Sequence, residues 1–205
     1  MFIKKILIFI LAISVGGFTF ADDGTVRVLM STSQGDIEID LYLDKAPITA
    51  GNFLRLIDSG DIENGSFYRV VTEQNDNGKP KIKVIQGGLG AGNASLTGER
   101  FDTIDHETTE QTGILHIDGV ISMARGAVGT ASTEFFICVD EQPGLDYGDI
   151  RNADKQGFAA FGRVVGGMEV VRKINGLPAN APAESAYTRG QILTERVIIT
   201  SVKRM

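Results

Sequence analysis

The 205 residues include one cysteine, two histidines and no tryptophan, and only five prolines against 25 glycines. The single cysteine, Cys138, cannot form a disulfide within the chain, whatever compartment the chain reaches. It sits inside the apolar run Phe135–Val139, where a buried, inert thiol is expected rather than a nucleophile. His106 and His116 lie near Glu107 and Asp118, but not at the spacing of a helical ligand pair and with no cysteine partner. No metal site is expected, and both rings are expected in loop hydrogen bonds. The chain has no Gly-x-Ser-x-Gly elbow, which argues against a serine hydrolase. Gly88, Gly90 and Gly92 loosely match a dinucleotide loop, but Asn93 takes the place of the third glycine and no βαβ pattern surrounds it. There is no basic block, and the net charge is −6. Such a chain repels nucleic acid and anionic lipid, so neither is an expected partner. Low-complexity segments and internal repeats are absent too.

Apolar sequence is concentrated at the start. Lys4 and Lys5 precede an apolar stretch from Ile6 to Val15, and Thr19-Phe20-Ala21 leads into Asp22-Asp23. A basic start, a short apolar core and a small residue at the end are the layout of a signal peptide. Residues 1–21 are therefore expected to be cleaved, leaving one domain over 22–205. A membrane span needs ~20 apolar residues. The stretch from Ile6 to Phe20 is shorter and holds two glycines. An uncleaved anchor is the competing reading. The expectation is a periplasmic or otherwise exported protein, with no stable membrane insertion after cleavage.

Beyond the leader, strand patterns dominate. Val26–Ser31 and Asp36–Leu43 read as strands, with a hairpin turn at Gly35-Asp36. Ile37, Ile39, Leu41 and Leu43 alternate, so one face is buried and one is wet. Pro47 to Gly60 reads as a helix carrying Phe53, Leu54, Leu56 and Ile57 on its apolar side. Further strands are expected at 67–73, 82–86, 119–123, 133–139, 158–165 and 191–202. A second helix is expected at Met168–Asn175. Eight short strands with two short helices fit a mainly β fold, a closed antiparallel barrel capped by the helices. Closure removes exposed edges. A two-sheet sandwich fits the same pattern.

Three fragments carry the candidate chemistry: Phe67 to Val71, Val84 to Gly88 and Glu134 to Cys138. Alternate strand residues share a face. That period places Phe67, Arg69 and Val71 together, then Val84 with Gln86, then Glu134, Phe136 and Cys138. If this set faces outward, it presents a guanidinium, an amide, a carboxylate and an aromatic floor. That suits an amphipathic groove for peptide better than a hydrolytic site.

These fragments resemble the cyclophilin family, in which a Phe-x-Arg strand, a Gln-Gly-Gly turn and a Phe-Phe-Ile strand recur in this order. The similarity extends through Gly119–Arg125, Gly129–Ile137 and Phe158–Val171, and it includes the helix from Pro47 to Phe53. The resemblance implies a peptidyl-prolyl cis/trans isomerase acting on proline-containing segments of unfolded or exported proteins, as a monomer without a cofactor. Carried over by position, Arg69, Gln86 and Phe136 would be catalytic. Val84 and Leu145 would line the proline pocket. Ala124 and Arg125 would border the groove, with Glu134 and Phe158 also facing substrate.

The sequence also departs from the family pattern. Sixteen residues separate Arg69 from Gln86, about twice the usual gap. Lys83 stands where a pocket phenylalanine is common, Glu134 where glutamine is common, and Gly144 where an aromatic precedes the pocket leucine. Phe158 stands where histidine or tyrosine is common. Glu134 is expected to pair with Arg69 or Arg125. Weak inhibition by cyclosporin is expected from Gly144. A peptide-binding chaperone with little turnover is the rival function, and a structural or adhesion barrel is a third reading.

Overall fold

The computed structural model describes residues 24–63, 65–90 and 101–205. The expected signal segment, residues 1–21, lies outside the described residues, as does the glycine loop beyond Gly90. Eight strands form a closed barrel. They are β1 (Thr25–Thr32), β2 (Gly35–Tyr42), β3 (Ser66–Val71), β4 (Val84–Gly88), β5 (Val120–Met123), β6 (Phe135–Cys138), β7 (Ala159–Gly166) and β8 (Ile192–Arg204). Around the barrel the order is β1-β2-β7-β5-β6-β4-β3-β8, and every neighbouring pair is antiparallel. The barrel stands and the sandwich does not.

Ile37, Ile39 and Leu41 are fully buried, as their alternation requires. The first hairpin differs from expectation: Thr32 pairs with Gly35, so the turn is Ser33-Gln34. The Thr32 hydroxyl donates to the Gly35 carbonyl and accepts from the Gln34 amide, which sets the turn two residues earlier. Gly35 then begins β2 at φ 133, where a side chain would strike Val170.

Three α-helices occur among the described residues: α1 (Pro47–Asp58), α2 (Thr109–Thr112) and α3 (Met168–Asn175). The sequence pattern gave no sign of α2, because one helical turn is too short to show a period of 3.6. It forms on a capping box in which Thr108 and Gln111 satisfy each other's backbone N–H groups. Helix α1 has no capping side chain of its own. The Glu107 carboxylate does that work from a distance, accepting from the backbone N–H of Ile48 and Thr49 and from the Thr49 hydroxyl. A negative charge there also suits the positive end of the helix.

Side chains fill the barrel. Phe53 of α1 packs edge-on to Phe135 at 5.2 Å between ring centres, and Phe67 meets the same ring at 5.5 Å. Val171 and Ile174 of α3 join the same core. Asn175 donates from its amide to the carbonyls of Val71 and Val84, which face each other across the β3–β4 ladder, and so ties α3 to both strands. A lumen this full leaves no room for a ligand, so a binding site has to lie on the outer wall.

Candidate functional site

Strands β3, β4 and β6 sit side by side, with Arg69 opposite Gln86 and Gln86 opposite Phe136. This register brings the three fragments together on the outer wall. It also holds an irregularity that period-two reading misses. Phe67 pairs with Gly87 and Arg69 with Gln86, so Tyr68 is an extra residue, a β-bulge. The bulge corrects the expected face. Phe67 is fully buried in the barrel core rather than in the groove, while Tyr68 turns outward beside Arg69. Val71, Val84, Phe136 and Cys138 do form the outer apolar floor, with Ile82 and Leu145.

Above this floor is a hollow of about 430 Å³. Arg69, Val84, Gln86, Ala124, Arg125, Phe136, Leu145 and Phe158 all line it. Glu134 lines a second hollow of about 400 Å³, which shares Gln86, Ala124 and Arg125 with the first. Phe136 is held from two sides. The Phe158 ring meets it edge-on at 5.3 Å, and the buried His116 ring stacks on it at 5.9 Å. His116 is itself fixed by Asp146 and the Ser122 hydroxyl. His106 contacts the Gln156 carbonyl. Both rings therefore lie in the hydrogen bonds expected of them. Cys138 is fully buried, and burial pushes its thiol well above the usual range, so it is no nucleophile.

Arg69 is clamped by two glutamines. Its Nη1 donates to Gln86 Oε1 at 2.7 Å, and its Nε and Nη2 donate to Gln191 Oε1 at 2.9 and 2.6 Å. The fork still has N–H groups that neither glutamine engages. Burial, with Arg151 nearby, moves Arg69 below its usual value, but an arginine stays charged at any ordinary pH. The Tyr187 ring lies 5.4 Å from its guanidinium carbon, a cation–π distance.

Glu134 pairs with neither Arg69 nor Arg125, contrary to expectation. Its oxygens accept from the Tyr68 hydroxyl at 2.5 Å, from the Gly90 amide at 2.7 Å and from the Thr133 hydroxyl at 3.2 Å. Gly88 makes this possible, since a side chain there would overlap the carboxylate. Arg125 pairs instead with Asp154 and with the Gly157 carbonyl, and lies over the Phe158 ring at 5.3 Å. Lys83 is not in the pocket either. It reaches Asp140 at 2.9 Å, and Ile82 takes the pocket wall. β4 starts at Val84, so the residues just before it do not hold strand alternation.

Besides Ile82, sequence reading missed Arg151, Asn152, Ala153 and Tyr187, which line the hollow, and Gln191, which holds Arg69. They come from the loops 146–157 and 177–191. Arg151 forms a bidentate pair with Asp76, and their side chains are 3% and 0% exposed. Arg151 also donates to the Pro80 carbonyl and the Tyr187 hydroxyl. It thereby ties the long segment between β3 and β4 to both other loops. Pro80 packs against Gly144, where an added Cβ would lie 2.4 Å from Pro80 Cγ. The space an aromatic side chain would need at position 144 is already filled by that segment.

Together these features define a class: a filled antiparallel barrel whose site is an outer groove, with an aromatic floor and one clamped guanidinium. The sequence pattern of the cyclophilin type peptidyl-prolyl cis-trans isomerase/CLD family matches residues 27–204. The chain belongs to that family. It is 32% identical over 204 residues to the "Peptidyl-prolyl cis-trans isomerase A" of Dickeya dadantii, covering 98% of this chain and 97% of that one. It is 31% identical over 175 residues to "Peptidyl-prolyl cis-trans isomerase-like 1" of Neurospora crassa, covering 83% and 93%. Among solved structures, a Cryptosporidium parvum cyclophilin type isomerase superposes with a TM-score of 0.63 at 21% identity, covering 88% of this chain and 98% of that one. The same protein, crystallised in the presence of the dipeptide ala-pro, gives 0.62. At that identity the likeness shows the shared barrel.

Proposed function

We propose that this chain accelerates cis/trans isomerisation of X–Pro bonds, binding proline-containing segments of exported proteins along the outer groove. The observation that carries the reading is the Arg69 guanidinium, held by two glutamine oxygens at the rim of an apolar hollow floored by Phe136. Rotation about the X–Pro bond faces a barrier of ~18–20 kcal/mol, because resonance gives the C–N bond double-bond character. A donor aimed at the prolyl nitrogen favours its pyramidal form and weakens that resonance. Arg69 can supply this donor without giving up a proton. The proline ring rests on Phe136 among Val84 and Leu145, while Gln86 hydrogen-bonds the substrate backbone. Catalysis then lies in binding the twisted amide better than either planar form. Neither a nucleophile nor a cofactor is required.

Export is supported by the basic and apolar start of the chain, and action as a monomer is part of the same proposal. The test is kcat/KM on a short Ala-Pro peptide for the protein lacking residues 1–21 and for its Arg69→Ala variant. A loss of about 10²–10³ in the variant is expected for removing a transition-state donor. An unchanged value overturns the role of Arg69. A second reading, a peptide-binding chaperone with little turnover, is favoured by one observation: both arms of Arg69 are already engaged by glutamine. Tight binding of the peptide with no acceleration would favour that reading.

A further inference from the structure

Amide side chains have a direction, and Gln86 can serve Arg69 only with its oxygen turned toward the guanidinium. Flipping Gln86 would set its NH₂ against Arg69 Nη1, donor facing donor. What fixes the direction is the group at the other end of the amide. Gln86 Nε2 donates to the Tyr68 hydroxyl at 2.9 Å. That hydroxyl has one proton, and the proton goes to Glu134 at 2.5 Å. A carboxylate only accepts, so it commits the Tyr68 proton to itself. Tyr68 is then left to accept from Gln86, and Gln86 is left to accept from Arg69. Burial, together with the Glu134 charge, raises Tyr68 far above its ordinary value, so the phenol keeps the proton it donates.

We propose that Glu134 and Tyr68 are positioning residues: a one-way hydrogen-bond chain from Glu134 through Tyr68 and Gln86 sets the orientation of the catalytic Arg69. This rests on the isomerase reading above. It replaces a substrate-binding role for Glu134 with an indirect one, since its oxygens are engaged by Tyr68, Gly90 and Thr133. The β-bulge has a purpose here. Without the extra residue, Tyr68 and Arg69 would point to opposite sides of β3. Gly88, at φ 147, leaves the space in which the carboxylate lies.

In Glu134→Gln the oxygen stays with the Gly90 amide and the new NH₂ faces Tyr68. The Tyr68 hydroxyl must then accept, its proton turns to Gln86, and Gln86 reverses. In Tyr68→Phe the anchor of Gln86 is gone altogether. Each variant is expected to lose about tenfold in kcat, in line with the cost of a misdirected buried hydrogen bond. KM in Tyr68→Phe is expected to stay within about twofold, because an interaction made only in the transition state has been lost. The double variant is expected to be no worse than the poorer single one, since both break the same chain. Arg69→Ala run alongside separates the two claims. If Arg69→Ala loses activity while both single variants keep wild-type kcat, the relay is wrong and the isomerase reading stands. If the two losses multiply to about a hundredfold, the residues act independently and the relay is likewise overturned. A merely structural role would lower the melting temperature and leave kcat per folded molecule unchanged, which also counts against it. If wild-type protein shows no acceleration, the isomerase reading itself has failed.

Discussion

Asp76→Asn is expected to loosen the whole outer wall of the groove. Asp76 lies in a polar segment that reads as an ordinary turn, yet its side chain is fully buried. Four bonds converge on it: two from Arg151 at 2.7 and 2.9 Å, and one each from the Gly78 and Ile82 amides at 2.9 and 2.8 Å. Burial works against the charged form, but the Arg151 and backbone hydrogen bonds outweigh it and hold the carboxyl below its ordinary 3.8. Its stabilising contribution is therefore full above that value and is lost as pH falls through the lowered one. Removing one partner of a buried pair strands the other charge, at a cost of ~3–5 kcal/mol. Asparagine keeps one acceptor oxygen, which places the expected loss near the lower end, about 3 kcal/mol. For a chain of this size that corresponds to a fall in Tm of about 6–12 °C. Urea unfolding of wild type, Asp76→Asn, Arg151→Met and the double variant measures it, with an unchanged m-value as the check on two-state behaviour. The double variant is expected to lose less than the two single losses together, because no charge is left unpaired. A loss under about 0.5 kcal/mol in Asp76→Asn would refute the reasoning, since that is what an ordinary surface turn residue gives.

Three further outcomes concern residues of and around the same wall. Gly144→Ala sets a Cβ 2.4 Å from Pro80 Cγ, and overpacking of this kind is expected to cost about 1–3 kcal/mol by urea unfolding; the native Gly144, lacking an aromatic, is expected to leave cyclosporin inhibition of the isomerase weak, and nanomolar inhibition would contradict that. Asp154 is lowered from 3.8 to about 2 by its hydrogen bond from Arg125. Its hold on Arg125 is expected to be complete above about pH 4 and to fade toward pH 2, followed by an Arg125 Nη–H resonance, since Nη1 and Nη2 carry the Asp154 bonds, in wild type and Asp154→Asn. A resonance insensitive to pH in wild type would contradict it.

The barrel was legible in the sequence because its strands alternate cleanly, as Ile37, Ile39 and Leu41 do, and because Arg69, Gln86 and Phe136 lie in short strands whose order identifies the family. The bulge was not. Phe67 to Val71 is aromatic or apolar on both faces apart from Arg69, so slipping the period by one residue leaves an equally plausible pattern. Arg151, Tyr187 and Gln191 were hidden for a different reason. Each reaches the site across more than 30 residues of chain, from loops whose composition signals only turns. The pairing of Glu134 was misjudged because charge alone favoured an arginine, while the bulge delivered Tyr68 to it first.

The central claim is tested most directly by two-dimensional exchange NMR on a proline peptide, with residues 22–205 added in catalytic amount. Uncatalysed exchange takes on the order of tens to hundreds of seconds, too slow to give exchange cross-peaks. The account predicts cis–trans cross-peaks with the wild-type protein and none with Arg69→Ala at the same concentration. Cross-peaks of equal strength with both proteins, or binding shifts without cross-peaks in wild type, would contradict it.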